Sequence, residues 1–136
     1  MADLVITSAN VAIAASNARP VTVLAGATIT AGMAVYLDSA NSEYLPASGA
    51  TESEATIAGI AVTGCADAGY FLMQTSKSYI VGATVVAGTP YYVSDSGSGK
   101  ICPHADLTSG DYVTLIGHAI STTEIDIEIA VTGITV

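Results

Sequence analysis

GATITAG at residues 26–32 and GATVVAG at residues 82–88 are the same seven-residue phrase written twice, 56 positions apart. The echo runs on beyond the phrase. Tyr36 in AVYLDS answers Tyr92 in PYYVSD at the same shift, Pro46 answers Pro103 at 57, and GIAVT from Gly59 answers GHAIS from Gly117 at 58. A shift that drifts by one or two residues is what altered loop lengths between two copies of one unit produce. The chain therefore reads as an internal duplication, about 21–75 and 77–132, forming a single β domain over 21–136 preceded by an N-terminal arm or edge strand over 1–20.

Each copy reads as strand, tight turn, strand, longer loop, strand, strand. In EIDIEIAVTG, Ile125, Ile127, Ile129 and Val131 alternate with Asp126, Glu128, Ala130 and Thr132, which places one face in the core and the other in water. YFLMQTS after Gly69 is its counterpart. The glycines of Ala31-Gly32 and Ala87-Gly88 fall between β-branched runs, where a sharp reversal needs positive φ. No stretch carries helical periodicity; LTSGDY after Asp106 has room for a single turn. Many short strands with turns between them make an all-β fold, a small β-barrel or β-sandwich of two duplicated strand-turn-strand units.

Composition agrees. Of 136 residues about half are apolar, mostly Ala, Val and Ile, and only 11% are charged, so burial repays the ordering of one compact domain. Three basic residues, Arg19, Lys77 and Lys100, face twelve acidic ones for a net charge of -9, which leaves no basic stripe for nucleic acid. The uncharged runs 20–37 and 78–94 are broken by Gly, Pro, Ser and Thr, so no membrane span is expected. Asp3 stands where a secretory signal would be basic, which favours an intracellular origin. Cys65 and Cys102 are far apart and read as free thiols, with a bridge as the alternative.

The repeat also bears on the chemical motifs. SDSGSGKI, residues 94–101, superficially offers a phosphate loop, but Ser94 stands where the first glycine belongs and Ile101 where Ser or Thr belongs. The matching part of the first copy, DSANSEYLPA, has no glycine, so the stretch reads as a hairpin loop. Cys102-Pro103-His104 lacks the convergent ligands of a metal site. His118 occupies a slot that is Ile60 in the first copy. Neither histidine is accompanied by a nucleophile elbow. No catalytic residue, cofactor or metal is expected. Tyr70-Phe71 and Tyr91-Tyr92 are adjacent pairs on strands, so one ring of each pair points outward, available to a partner or to a sugar.

With those segments in view, AGATITAGMAVYLDS, VGATVVAGTPYYVSDSGSGKICP, AGIAVTG and the closing SGDYVTLIGHAISTTEIDIEIAVTG resemble the small capsid cement, or decoration, proteins of tailed bacteriophages, from about Val21 to Gly133. The resemblance implies a compact β domain that is made in the host cytoplasm, forms a homo-oligomer, most often a trimer, and binds the major capsid protein on the outside of the mature head. It carries no residue-level motif. Candidate contacts are Leu4, Val5 and Ile6 of the arm, as a segment that docks by strand addition, and the rings of Tyr70, Tyr91 and Tyr92. The reading from another class is a carbohydrate- or host-surface-binding β module using Tyr44, Tyr70, Tyr91 or Tyr92.

Overall fold

The computed structural model describes residues 3–136, so the first two residues of the arm lie outside the described residues. The chain is a β-sandwich of two antiparallel sheets. The first copy supplies β2 (Val21–Leu24), β3 (Ala34–Asp38), β4 (Glu43–Pro46), β5 (Ile57–Ala61) and β6 (Tyr70–Gln74), while the second supplies β7 (Lys77–Ile80), β8 (Pro90–Val93), β9 (Ile101–Pro103), β10 (Tyr112–Ala119) and β11 (Glu124–Thr135). A short β1 (Ala12–Ile13) precedes both.

The duplication is visible in the strand order. The five-stranded sheet runs β2-β6-β5-β3-β4, and the six-stranded sheet runs β1-β7-β11-β10-β8-β9, which is the same order in the second copy with β1 added beside β7. The turns repeat as well. Gly32 at φ +98° donates its N–H to the Ala61 carbonyl at 2.7 Å, and Gly88 at φ +84° donates to the Ala119 carbonyl at 2.7 Å. A β-bulge is duplicated too. Val35 pairs Gly59 and Tyr36 pairs Ile57, passing over Ala58; Tyr91 pairs Gly117 and Tyr92 pairs Leu115, passing over Ile116. The bulge brings the next strand onto the glycine: a Cβ on Gly59 would stand 2.7 Å from the Gln74 carbonyl oxygen, and one on Gly117 would collide with the Asp126 carbonyl oxygen.

Alternation along the strands of the first copy feeds two cores. Ala34, Ile57, Ile60 and Val62 join Tyr79, Val81, Tyr91, Val93, Ile101, Ile116, Ile125 and Ile127 of the second copy in the larger core. Their neighbours Val35, Ala61, Phe71 and Met73 turn the other way and meet Ala25 and Ile29 in a smaller core. That smaller core is wrapped by its own sheet, whose edges are drawn together where Gly26 N–H donates to the Tyr44 carbonyl at 2.9 Å. The contact is a single bridge, so the sheet is rolled without becoming a barrel.

The second copy does not close in this way. At the equivalent gap the arm is inserted, with Leu4 N–H on the Ile101 carbonyl and Thr7 N–H on the Gly82 carbonyl, both at 2.8 Å. Leu4 and Ile6 pack against the larger core. One helical turn that periodicity did not signal, α1 (Glu52–Ala55), lies in the first copy. Its cue is local: Thr51 caps the turn, its hydroxyl accepting from Glu54 N–H at 3.3 Å and donating to the Glu54 carboxylate at 3.1 Å. LTSGDY forms a turn pinned by Asp111, which accepts from Thr108 N–H at 2.7 Å; the helical piece there is a 3₁₀ turn just before it, His104–Asp106.

Because the bulge glycines admit a neighbouring carbonyl, Gly117→Ala is expected to lower stability by about 2–3 kcal/mol, as overpacking of a fixed backbone does. Gly59→Ala acts in the same direction. Urea denaturation followed by circular dichroism measures both; a midpoint for Gly117→Ala equal to that of the parent would contradict the assignment.

Candidate functional site

The residues that carry chemistry are dispersed. The SDSGSGK stretch is the turn of the β8–β9 hairpin, with Tyr92 opposite Cys102 and Val93 opposite Ile101. Four of its amides are committed: Ser94 N–H donates to Lys100, Lys100 N–H to Gly97, Ser96 N–H to the Ser94 hydroxyl, and Gly99 N–H crosses to Ala47 of the first copy. A phosphate cradle needs such amides free and convergent, followed by a helix.

His104 is exposed at the start of its 3₁₀ turn and sets its ring edge-on to Tyr92, centroids 5.8 Å apart at 65°. His118 is half-buried on β10, between Pro90 of β8 and Asp126 of β11 in register. Cys102 is buried, and burial followed by the charges of Asp3, Asp106, Asp111 and Asp95 pushes its thiol up to about 12, far from a reactive thiolate. Cys65 is half-buried and its thiol is raised by burial and by Asp67. Both cysteines are free.

Four carboxylates act on Cys102: those of Asp3, Asp106, Asp111 and Asp95. Asp3 reaches it from the arm, accepting from Ser96 Oγ at 2.6 Å. Asp95 is raised by burial and then by Asp111, which holds a hydrogen bond with it. Among the described residues no group of three or more His, Cys, Asp or Glu side chains is arranged to hold a metal ion. The cluster is a site of mutual repulsion, close to where the arm enters the sheet.

The aromatic pairs divide as strand geometry requires. Phe71 is buried and Tyr70 is 67% exposed. In the second pair Tyr91 is the inward ring, 3% exposed, with its hydroxyl accepting from Val86 N–H at 3.1 Å. Tyr91 is thus a core residue and is withdrawn as a contact residue; Tyr92, half-buried beside His104, stays at the surface. Tyr44 is spent on Phe71, in an edge-to-face contact with centroids 6.4 Å apart. The four tyrosines considered as a sugar platform are therefore divided between core, internal contact and surface.

Of the arm residues, Leu4 and Ile6 face inward and Val5 is 87% exposed. The apolar surface that the sequence did not single out lies at the end of β11. The alternation of isoleucines buries Ile125 and Ile127 and half-buries Ile129, and there it stops: Val131 is 41% exposed, Ile134 66% and Val136 51%. The available cue was charge, since residues 129–136, IAVTGITV, contain none. No helix among the described residues is long and apolar enough to cross a membrane. No family model matches the chain, and no curated protein matches it.

Two outcomes follow from the thiols and the carboxylates. A disulfide reagent at pH 8 is expected to modify Cys65 in the native protein and Cys102 only after denaturant is added; equal native rates would contradict the burial of Cys102. Asp95 has a folded pKa above its unfolded value, so it favours folding below the ordinary carboxylate range and that contribution is lost as pH rises through the folded value. Asp95→Asn is accordingly expected to raise the melting temperature at pH 7 and to change it little at pH 3; calorimetry at the two pH values checks the difference.

Proposed function

We propose that this chain is a structural cement protein that binds the outer surface of a phage head and stabilises the mature shell by bridging capsid subunits. The resemblance from Val21 to Gly133 suggests the class. The observation that carries the reading is how the surface is built: apolar side chains at Val5, Tyr70, Val131 and Ile134 stand in water on a chain whose own cores are already filled. Scattered exposed apolar residues are ordinary, but two of these, Val131 and Ile134, stand three positions apart on the end of β11, and exposed apolar residues gathered on one strand end support a contact surface.

The mechanism is one of added contacts. A protein that binds the assembled lattice and not its separated subunits shifts the equilibrium toward the assembled state by mass action. Many copies on one shell multiply modest individual interfaces. A rigid sandwich suits this role, because little ordering entropy is lost on docking. The net charge of -9 suits the outer face of a head better than its DNA-filled interior. Val5, carried outward by an arm whose neighbours Leu4 and Ile6 are anchored, is placed to touch a lattice without the arm leaving the sheet.

Addition of the purified protein to expanded tailed-phage shells stripped of their decoration protein tests the proposal. Co-sedimentation with the shells and a higher shell melting temperature are expected. Protein that stays in the supernatant and leaves shell melting unchanged would overturn it.

A further inference from the structure

The arm builds a cavity that the repeat by itself does not have. Gly32 of the first-copy turn packs against the arm, so that a Cβ there would stand 2.7 Å from Ile6 Cγ2, whereas its counterpart Gly88 has no such neighbour within 4 Å. The β8–β9 hairpin borders the same place, because Leu4 N–H donates to the Ile101 carbonyl and Ala34 N–H to the Gly99 carbonyl. Between arm, turn and hairpin lies a cavity of about 240 Å³, partly open to water.

Its walls are mostly apolar. Leu4 and Ile6 come from the arm, Ala31 and Met33 from the turn, and all four are half-buried, packed on a core on one side and left to water on the other. Thr30 N–H meets the Met33 sulfur at 3.5 Å and holds that side chain at the wall. Ser8 and Ser98 bring hydroxyls, and Lys100 brings the one charge. No carboxylate lines the cavity, on a chain where twelve acidic residues face three basic ones. Asp3, next to Leu4 in the arm, is turned to Ser96 Oγ at 2.6 Å, and among the described residues Lys100 has no ion pair.

We propose that this cavity binds a small aliphatic monocarboxylate, its alkyl chain against Leu4, Ile6 and Met33 and its carboxylate at Lys100. Size, lining and charge each narrow the class. The volume exceeds the about 150 Å³ that suffices for benzene and falls short of the roughly 300 Å³ at which drug-sized sites begin, so the occupant is a fragment. Half-buried alkyl and thioether side chains gain by being covered with hydrocarbon. A lone ammonium suits a single negative charge. Inorganic phosphate would leave the apolar wall wet, and an alkylammonium would meet Lys100 as a like charge. An occupant also ties the arm to the body, since the arm supplies one wall and the hairpin supplies the cation. The inference does not rest on the cement reading.

Amide NMR of the whole chain titrated with hexanoate, hexanol and hexylamine tests it. Hexanoate is expected to shift the amides of Leu4, Ile6, Ala31 and Lys100 saturably and to bind about tenfold more tightly than hexanol, the worth of one charge-assisted hydrogen bond. Hexylamine is expected to bind most weakly. Lys100→Gln, a change at an exposed position, is expected to bring hexanoate down to the level of hexanol, while Lys100→Arg keeps the preference. Ala31→Leu puts an alkyl group into the cavity and is expected to abolish binding of both. Hydrogen exchange at the Leu4 and Thr7 amides is expected to slow when hexanoate is bound. Equal binding of hexanoate and hexanol by the parent, a preference that survives Lys100→Gln, shifts confined to other segments, or no saturation below roughly 10 mM would each overturn the inference.

Discussion

The burial of one face of the first sheet against the inner face of the second holds this molecule together. Ala34, Ile57, Ile60 and Val62 lie among Tyr91, Val93, Ile101, Ile116, Ile125 and Ile127, and most of these side chains are fully removed from water. At about 25 cal/mol per Å² of apolar surface, such a core is the main favourable term available to a domain this size. A slip of one residue in β3 or β5 would exchange the two sets of inward residues, sending Val35 and Ala61 to the larger core and Ala34 and Ile60 to the smaller. The duplicated bulge opposes that slip. It fixes which residue stands opposite Gly59 and Gly117, and glycine is required there because the adjacent strand's carbonyl occupies the space of a side chain.

Two copies of one unit have thus reached different ends. The first rolls around its own turn segments and joins its edges at Gly26 and Tyr44. The second keeps its inner face open to receive the first, and cannot also join its edges. The arm occupies the gap that remains, hydrogen-bonded to Ile101 on one side and Gly82 on the other. Carboxylates gather near that entry, Asp3 from the arm and Asp95 and Asp111 from the body, so the segment is held by apolar packing of Leu4 and Ile6 against a local repulsion. Buried polar groups elsewhere are economical. Gln74 donates to two carbonyls, of Ser76 and Ser78, while its Oε1 and the Tyr79 hydroxyl are buried with no hydrogen-bond partner among the described residues, and burial strongly disfavours ionisation of the tyrosine.

The proposed cement function asks for contact surface. The thiols are raised, the histidines stand on different elements, and four amides of the glycine loop are spent within the hairpin and on Ala47. What distinguishes the surface is a pairing of acidity with exposed apolar side chains at strand ends. Acidity keeps such a surface soluble, and the apolar positions supply contact area where a partner excludes water.

Strand content, the repeat and its hairpins were legible in the chain because they rest on local rules: period-two alternation, glycine at positive φ, and a phrase written twice. The alternation held for Ile125, Ile127 and Ile129, which face the larger core, but Val131 lies in water, because β7 ends opposite Ile127 and sequence does not record where a neighbouring strand stops. Likewise adjacency in Tyr91-Tyr92 required one ring to be buried without saying which, a choice made by the bulge that pairs Tyr91 with Gly117. The turn Glu52–Ala55 was not anticipated, because four residues are too few to leave a periodicity and its cue is confined to the Thr51 cap on Glu54. Only the tertiary structure decided that one copy closes while the other stays open, because that outcome depends on which sheet receives the other's face, a contact between residues distant in the chain that no local pattern encodes.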